Sequence, residues 1–327
     1  MKYTKLTIAL MLTAIFFGYN KWLFSLGVFE LFNDSQYSAN GHEKVKNFNP
    51  EEETLYLPGL EDKEFFEAVN DFSILHKKGV REFIYLYLTT GREYTIRSIE
   101  KSGYYIGTIK EIMKENPDIP DEIALLPLLE SGFEPMAVSR SKAVGLWQFM
   151  KATSSHLGLK TDPWVDERRN VEKSTRAAIR HLRYLNRSLG SWELALAAYN
   201  GGEGQLRRAI KKTGTNDIWK LINSGVLSKE TEEYVPRFAA LVLIYKNTRL
   251  FRIENELQIN KAQAAKEIRL DRQKSLKDIS QYYAGGVELL KHLNPELNTG
   301  ITPPPGEGYM LKVPAERFPA LLAKMMD

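Results

Sequence analysis

Residues 121–133, DEIALLPLLESGF, run through an apolar stretch and end it on a single acid, Glu130. Pro120, Asp121 and Glu122 are placed to open a helix and Ser131-Gly132 to close it, following the usual preference for proline and acids at helix starts and glycine at their ends. Every residue from Ile123 to Leu129 is apolar, so the segment is expected to be buried with Glu130 in its last turn. Burial disfavours an ionised carboxylate, and the negative end of a helix does the same. Both raise the pKa, as a general acid working near neutrality requires. On these residues alone, a carboxylate capping a surface edge of the helix is the more ordinary reading, since glutamates are common at helix ends.

Outward from this stretch the pattern stays helical. Phe65, Phe66, Val69 and Phe72 share one helix face, as do Ile96, Ile99, Ile106, Ile109 and Met113, and long strand-like alternation is missing between 63 and 250. Asp162-Pro163 and Ser191-Trp192 are expected as further helix starts. The composition changes near 255–265. Beyond it, 268–270 is expected as a strand, 276–283 and 287–293 as short helices, and 309–313 as a final strand. The intervening TGITPPPGEG, 299–308, is a loop by its proline and glycine content. The fold class is therefore mainly α, with a small β-α-α-β unit at the C-terminal side.

The N-terminal part reads differently. Lys2 and Lys5 precede an apolar run over 6–19, and a second run continues over 22–32 without a charge until Glu30. No small-x-small cleavage site closes the first run; Asn20, Lys21 and Trp22 come directly after it. Residues 6–29 come close to the ~20 residues of a spanning helix, with Lys21 as the lone charge. Residues 1–32 are thus expected to be a cleaved signal peptide or an uncleaved signal anchor, either of which exports the rest of the chain; a buried N-terminal helix is the third possibility. Residues 33–62 are polar and turn-rich and read as a tether, with a reach on the order of 30 Å.

The chain has 327 residues, 43% hydrophobic and 26% charged, which excludes a disordered, collagen-like or polytopic membrane protein. A net charge of +4 argues against a dedicated nucleic-acid binder. Cysteine is absent, which removes disulfides, thiolate nucleophiles, cysteine-held metals and a lipid-bearing cysteine at once. The five histidines (His42, His76, His156, His181, His292) are scattered without HExxH or similar spacing, so neither a metal nor another cofactor is expected.

Further polar residues come after Glu130 in order. Ser139 is first, then Gln148 inside GLWQFM (145–150), where Gly145 permits close backbone approach and Trp147 either faces a sugar or fills the core. AAYNGGEG (197–204) ends an apolar helix on Tyr199-Asn200 and turns on paired glycines; it lacks the Lys-Ser/Thr of a phosphate-binding loop and has no strand before it. Tyr234 lies in ETEEYVPRF (230–238).

Taken together, Glu130-Ser131, Ala137-Val138-Ser139, GLWQFM, AYNGG and Tyr234-Val235-Pro236-Arg237 resemble the lytic transglycosylase domain related to goose-type lysozyme, over about residues 115–240. The preceding RSIEKSGYYIGTIKEIMKENPDIPDEIALLPLLESGF (97–133) is similar to the membrane-bound D-type branch of that family, which usually carries C-terminal LysM modules. Residues 265–315 look like a degenerate one, through SLKDISQYY, LLKHLNPEL and GYMLKVP. The resemblance implies a helical extension over 63–114, a lysozyme-like catalytic domain over 115–255 and a LysM-like module over 264–316.

It also implies an activity. Glycosidases ordinarily need two carboxyl groups, and the resemblance supplies one, Glu130, for non-hydrolytic cleavage of the MurNAc–GlcNAc β-1,4 bond of peptidoglycan glycan strands, leaving a 1,6-anhydro end. Ser139 and Gln148 would hydrogen-bond the sugar, Met150 shape the same subsite, Tyr199 and Asn200 line the cleft, and Tyr234 position Glu130 or the substrate's N-acetyl group. The chain departs from the family at 139–143, SRSKA, where Lys142 replaces a glycine, and in having no cysteine for a lipid anchor, so membrane retention falls to the N-terminal apolar segment. Two alternatives stand beside this reading. One is a hydrolytic muramidase, with Glu134, Asp162 or Asp166 as base, each expected on a solvated face. The other is a non-catalytic peptidoglycan-binding scaffold; a membrane-assembly role is compatible with catalysis.

Overall fold

The computed structural model describes residue 77 and residues 79–317, apart from 283, 284, 305 and 307. The apolar segment 1–32, the tether 33–62 and the face formed by Phe65, Phe66, Val69 and Phe72 lie outside the described residues. In chain order the helices are α1 (Val80–Leu88), α2 (Arg92–Lys114), α3 (Leu126–Glu130), α4 (Lys151–His156), α5 (Val171–Leu189), α6 (Trp192–Gly201), α7 (Glu203–Thr213), α8 (Ile218–Asn223) and α9 (Lys229–Lys246). Then come β1 (Ala265–Leu270), α10 (Leu276–Ser280), α11 (Gly286–Leu293) and β2 (Tyr309–Pro314).

Capping side chains set several of the starts. Asn170, Ser191, Asp217 and Ser228 each accept a backbone N–H from the first turn of α5, α6, α8 and α9. Asp162-Pro163 opens no helix. Asp162 Oδ1 instead accepts the N–H groups of Trp164 and Val165, both at 2.8 Å, an aspartate-capped turn, and the chain becomes helical only at Val171. The stretch 121–130 also differs from the single helix expected. It is a 3-10 turn, Asp121–Leu125, followed by the five-residue α3. Pro127 sits in the first turn of α3, where its missing N–H has no helical partner to lose, so the α-helix begins here instead of running on from Asp121. Glu130 consequently ends a short helix whose first three residues are buried, and is itself half-buried.

Helix α9 lies at the centre. Its residues from Tyr234 to Ile244 are buried on every face, and it packs against α1, α6 and α3. Helices α1 and α2 join the same core through Val80, Ile84, Ile99 and Ile109, alongside Leu126, Phe133, Leu182 and Ala240. A second core forms the C-terminal unit. Strands β1 and β2 pair antiparallel with Ile268 opposite Leu311 and Leu270 opposite Tyr309, and α10 and α11 close over them through Leu276, Ile279 and Leu290. Val165, from the turn-rich segment before α5, is buried in this second core. Among the described residues no helix is long and apolar enough to cross a membrane.

Candidate active site

Glu130 meets α9 at the end of α3. The Tyr234 hydroxyl donates to Glu130 Oε1. The next residue, Ser131, is buried, and its hydroxyl donates to Leu146 O at 3.0 Å, which ties the end of α3 to the segment around 145–150. Burial raises the pKa of Glu130 to about 7; the Tyr234 hydrogen bond opposes the rise and the negative charge of Glu230 adds to it. The Tyr199 and Tyr234 phenols are held above their usual range by burial, with the Glu130 charge acting the same way, so both remain neutral donors.

One side of the site is helical. Tyr199, near the end of α6, donates its hydroxyl to Trp147 O at 2.7 Å. Asn200 donates Nδ2–H to Glu230 Oε1 at 3.0 Å, and its Oδ1 lies 3.0 Å from the Thr231 hydroxyl. The paired glycines next in the chain have a local reason. A Cβ on Gly201 would fall 2.1 Å from Gln205 Oε1 and 2.4 Å from Thr231 Oγ1, while Gly202 has φ +81°. Glu230 carries a role that the sequence motifs do not assign. Its signal is nevertheless present: it stands four residues before Tyr234 on α9, hence on the same helix face.

The other side is a turn-rich segment. Ser139 accepts Ala143 N–H at its hydroxyl, 2.9 Å, and exchanges backbone bonds with Ala143 and Lys142 at 2.9 Å. Lys142 has φ +67°, the left-handed conformation that a glycine adopts without strain. Gly145 has φ +86°, and a Cβ there would lie 2.0 Å from Arg168 O. Gln148, at φ +47°, donates Nε2–H to Gly145 O at 2.9 Å. Met150 is exposed just before α4. Trp147 is fully buried with its indole N–H on Thr175 Oγ1 at 3.0 Å; it fills the core, which decides between the two roles left open for it.

Arg168 holds this segment from behind. Its Nη1 donates to the carbonyls of Lys142 and Phe149, both at 3.2 Å, and its other nitrogens grip Asp166 at 2.9 and 2.7 Å. No periodicity flags Arg168. Asp166, expected on a solvated face, is buried because it neutralises this guanidinium. Glu134 pairs with Lys101 at 2.8 Å, and Asp162 is engaged by backbone amides and Lys160. All three carboxylates considered as hydrolytic bases therefore have structural partners.

Residues 107–222 match the family model described as Transglycosylase SLT domain, and residues 264–324 the one described as Lytic transglycosylase MltD, LysM-like domain. Over 146 residues the chain is 40% identical to membrane-bound lytic murein transglycosylase D of Escherichia coli, which covers 43% of this chain and 31% of that protein. It is 44% identical over 108 residues to a putative tributyltin chloride resistance protein of an Alteromonas species, covering 33% of this chain and 50% of that one. A solved structure of an inactive mutant of the lytic transglycosylase Slt from Pseudomonas aeruginosa matches at 24% identity and a TM-score of 0.38, over 60% of this chain and 33% of that one. The chain thus spans about a third to a half of the curated relatives it matches.

Proposed function

We propose that this chain, which carries a transglycosylase SLT domain over 107–222 and an MltD-type LysM-like domain over 264–324, is a peptidoglycan lytic transglycosylase of the cell envelope. The observation that carries the reading is the Glu130–Tyr234 pair. It is a carboxyl group whose pKa is raised to about 7 and which is held in place by a neutral phenol.

Such a group can serve as acid and then as base in one cycle. Protonated Glu130 gives its proton to the glycosidic oxygen, and the bond from C1 of MurNAc to that oxygen breaks. The substrate's N-acetyl group supports the electron-poor C1. The Glu130 carboxylate then takes the C6 hydroxyl proton, O6 bonds to C1, and a 1,6-anhydro ring closes. Glu130 ends protonated as it began and no water is consumed, so one carboxyl suffices. Tyr234 orients Glu130, Ser139 and Gln148 hydrogen-bond the sugar, Met150 shapes that subsite, and Tyr199 and Asn200 line the cleft. Because Gln148 Nε2 holds Gly145 O, its side-chain oxygen is the atom left for the substrate.

The substrate is the glycan strand on the periplasmic side of the envelope, which residues 6–29 would reach as an export signal or an anchor. Digestion of purified sacculi followed by mass measurement of the muropeptides tests the reading. Products lighter by one water than reducing-end muropeptides are expected. Reducing ends would make the protein a muramidase, and binding without cleavage would make it a scaffold. Cleavage surviving Glu130→Gln would overturn the site.

A further inference from the structure

The C-terminal module and the cleft share a seam. Val165 is buried in the module's core and forms an antiparallel bridge with Leu297. Asp166 N–H donates to Glu296 O at 2.8 Å, and Asn298 N–H to Trp164 O at 2.9 Å. Asn298 Nδ2 donates to Asp162 O at 2.9 Å and its Oδ1 accepts from Arg169 at 3.1 Å. Glu296, 4% exposed, receives two donors on Oε1: Asn170 Nδ2–H at 3.0 Å and the Tyr309 hydroxyl at 2.8 Å. Lys312 pairs with Glu172 on α5, and the His292 ring lies 4.7 Å from that of Tyr104 on α2.

The segment clamped in this way, 162–170, is the one that supports the turn-rich side of the cleft. Asp166 sets Arg168, Arg168 caps the Lys142 and Phe149 carbonyls, and Arg168 O lies where a side chain on Gly145 would have to go. Lys142 and Gln148 hold positive φ angles, a strained conformation for residues with a side chain, so the turn needs bonds from outside itself.

We propose that the C-terminal module is a fixed buttress of the cleft, and that Glu296 is a positioning residue. Through Asn170, segment 162–170 and Arg168 it holds the 139–150 turn that carries Ser139 and Gln148. Its effect on catalysis rests on the transglycosylase reading; its effect on the turn does not. Replacing Glu296 by alanine leaves the Asn170 amide and the Tyr309 hydroxyl without their buried acceptor. Glutamine restores that acceptor, and since Glu296 Oε2 meets no donor among the described residues, the exchange costs no hydrogen bond there.

The test uses the full chain with two readouts: amide hydrogen exchange of peptides covering 139–149, and initial rates of sacculus digestion across pH. Glu296→Ala is expected to speed exchange in 139–149 and to lower kcat/KM, each roughly tenfold. The alkaline limb near pH 7 should stay in place, because the Glu130–Tyr234 pair is untouched. Glu296→Gln should restore both readouts. Lys291→Ala, which disturbs an exposed pair with Glu288 on α11, should move neither. If Glu296→Ala does not fold, Asn298→Ala cuts the same seam from an exposed position, with an expected change of about threefold in exchange. Unchanged exchange in 139–149, or an equal rise in every core helix, would overturn the proposal. Failure of the wild type to cleave sacculi would sink the transglycosylase reading, while the exchange data still decide the buttress.

Discussion

Tyr199, Asn200, Glu230 and Tyr234 stand on two helices whose own hydrogen bonds fix their spacing, whereas Ser139 and Gln148 stand on a turn held from outside by Arg168. The helical side places polar atoms by a repeat, and the buried face of α9 keeps it rigid. The turn side includes two non-glycine residues at positive φ and a glycine with no room for a methyl group. The difference teaches where substitutions act. On the helical side they alter chemistry and spare the fold; on the turn side they alter the fold first.

Glu130, between the two, sets the largest expected effect. Glu130→Gln should lower sacculus cleavage about 10³-fold with the fold intact. The raised pKa fixes the sign of a second effect. Wild-type stability held by protonated Glu130 is complete below its unfolded value and is lost as pH rises towards about 7. The glutamine variant should therefore melt above the wild type at pH 8, by on the order of 2 kcal/mol, with the gap closing towards pH 4.5.

Gly145→Ala breaks the turn side most directly. With φ +86° and Arg168 O 2.0 Å from the new carbon, a loss of about 3 kcal/mol is expected in thermal or urea unfolding. A variant as stable as the wild type would show that the turn is not held as described. Tyr234→Phe tests the helical side. It should cost about tenfold in rate with little change in melting, and it should shift the alkaline limb upward, because the lost hydrogen bond favoured ionised Glu130. The smallest effect is expected from Lys142→Gly. It removes left-handed strain for a gain of about 0.5–1 kcal/mol and keeps cleavage, with at most a changed rate or glycan-length preference. A folded but inactive Lys142→Gly would mean that the lysine itself acts on substrate.

The same contrast separates the legible parts of the sequence from the rest. The apolar run into Glu130, the helix start at Ser191 and the short strand over 268–270 are local patterns, and each leads to its element. Pro127 is in plain view and lies in the first turn of the α-helix that begins inside the single helix expected over 121–130. Asp162-Pro163 has the form of a helix start, but an aspartate before proline has two outcomes, a cap or a closed turn, and only the packing of the next residues selects one. Trp147 stays undecided in the sequence because a buried indole and a sugar-facing one have the same neighbours in the chain; the Thr175 hydroxyl, 3.0 Å away, decides it. Arg168 and Glu296 carry no local signal. Asp166 is close to Arg168 in the chain, but the carbonyls that Arg168 braces, at Lys142 and Phe149, lie far off, as Asn170 does from Glu296.

The sequence by itself determined a mostly helical chain, a lone acid at the end of a buried helix, the order of the polar residues after it, and a small β-α-α-β unit. These are properties of periodicity and of residue chemistry, which act over a few positions. Tertiary structure alone decided that Glu230 adds its charge to Glu130, and that Arg168 braces the turn with the C-terminal module locked behind it. Those outcomes depend on which buried donors and acceptors find one another once the chain is packed, and no local pattern records that pairing.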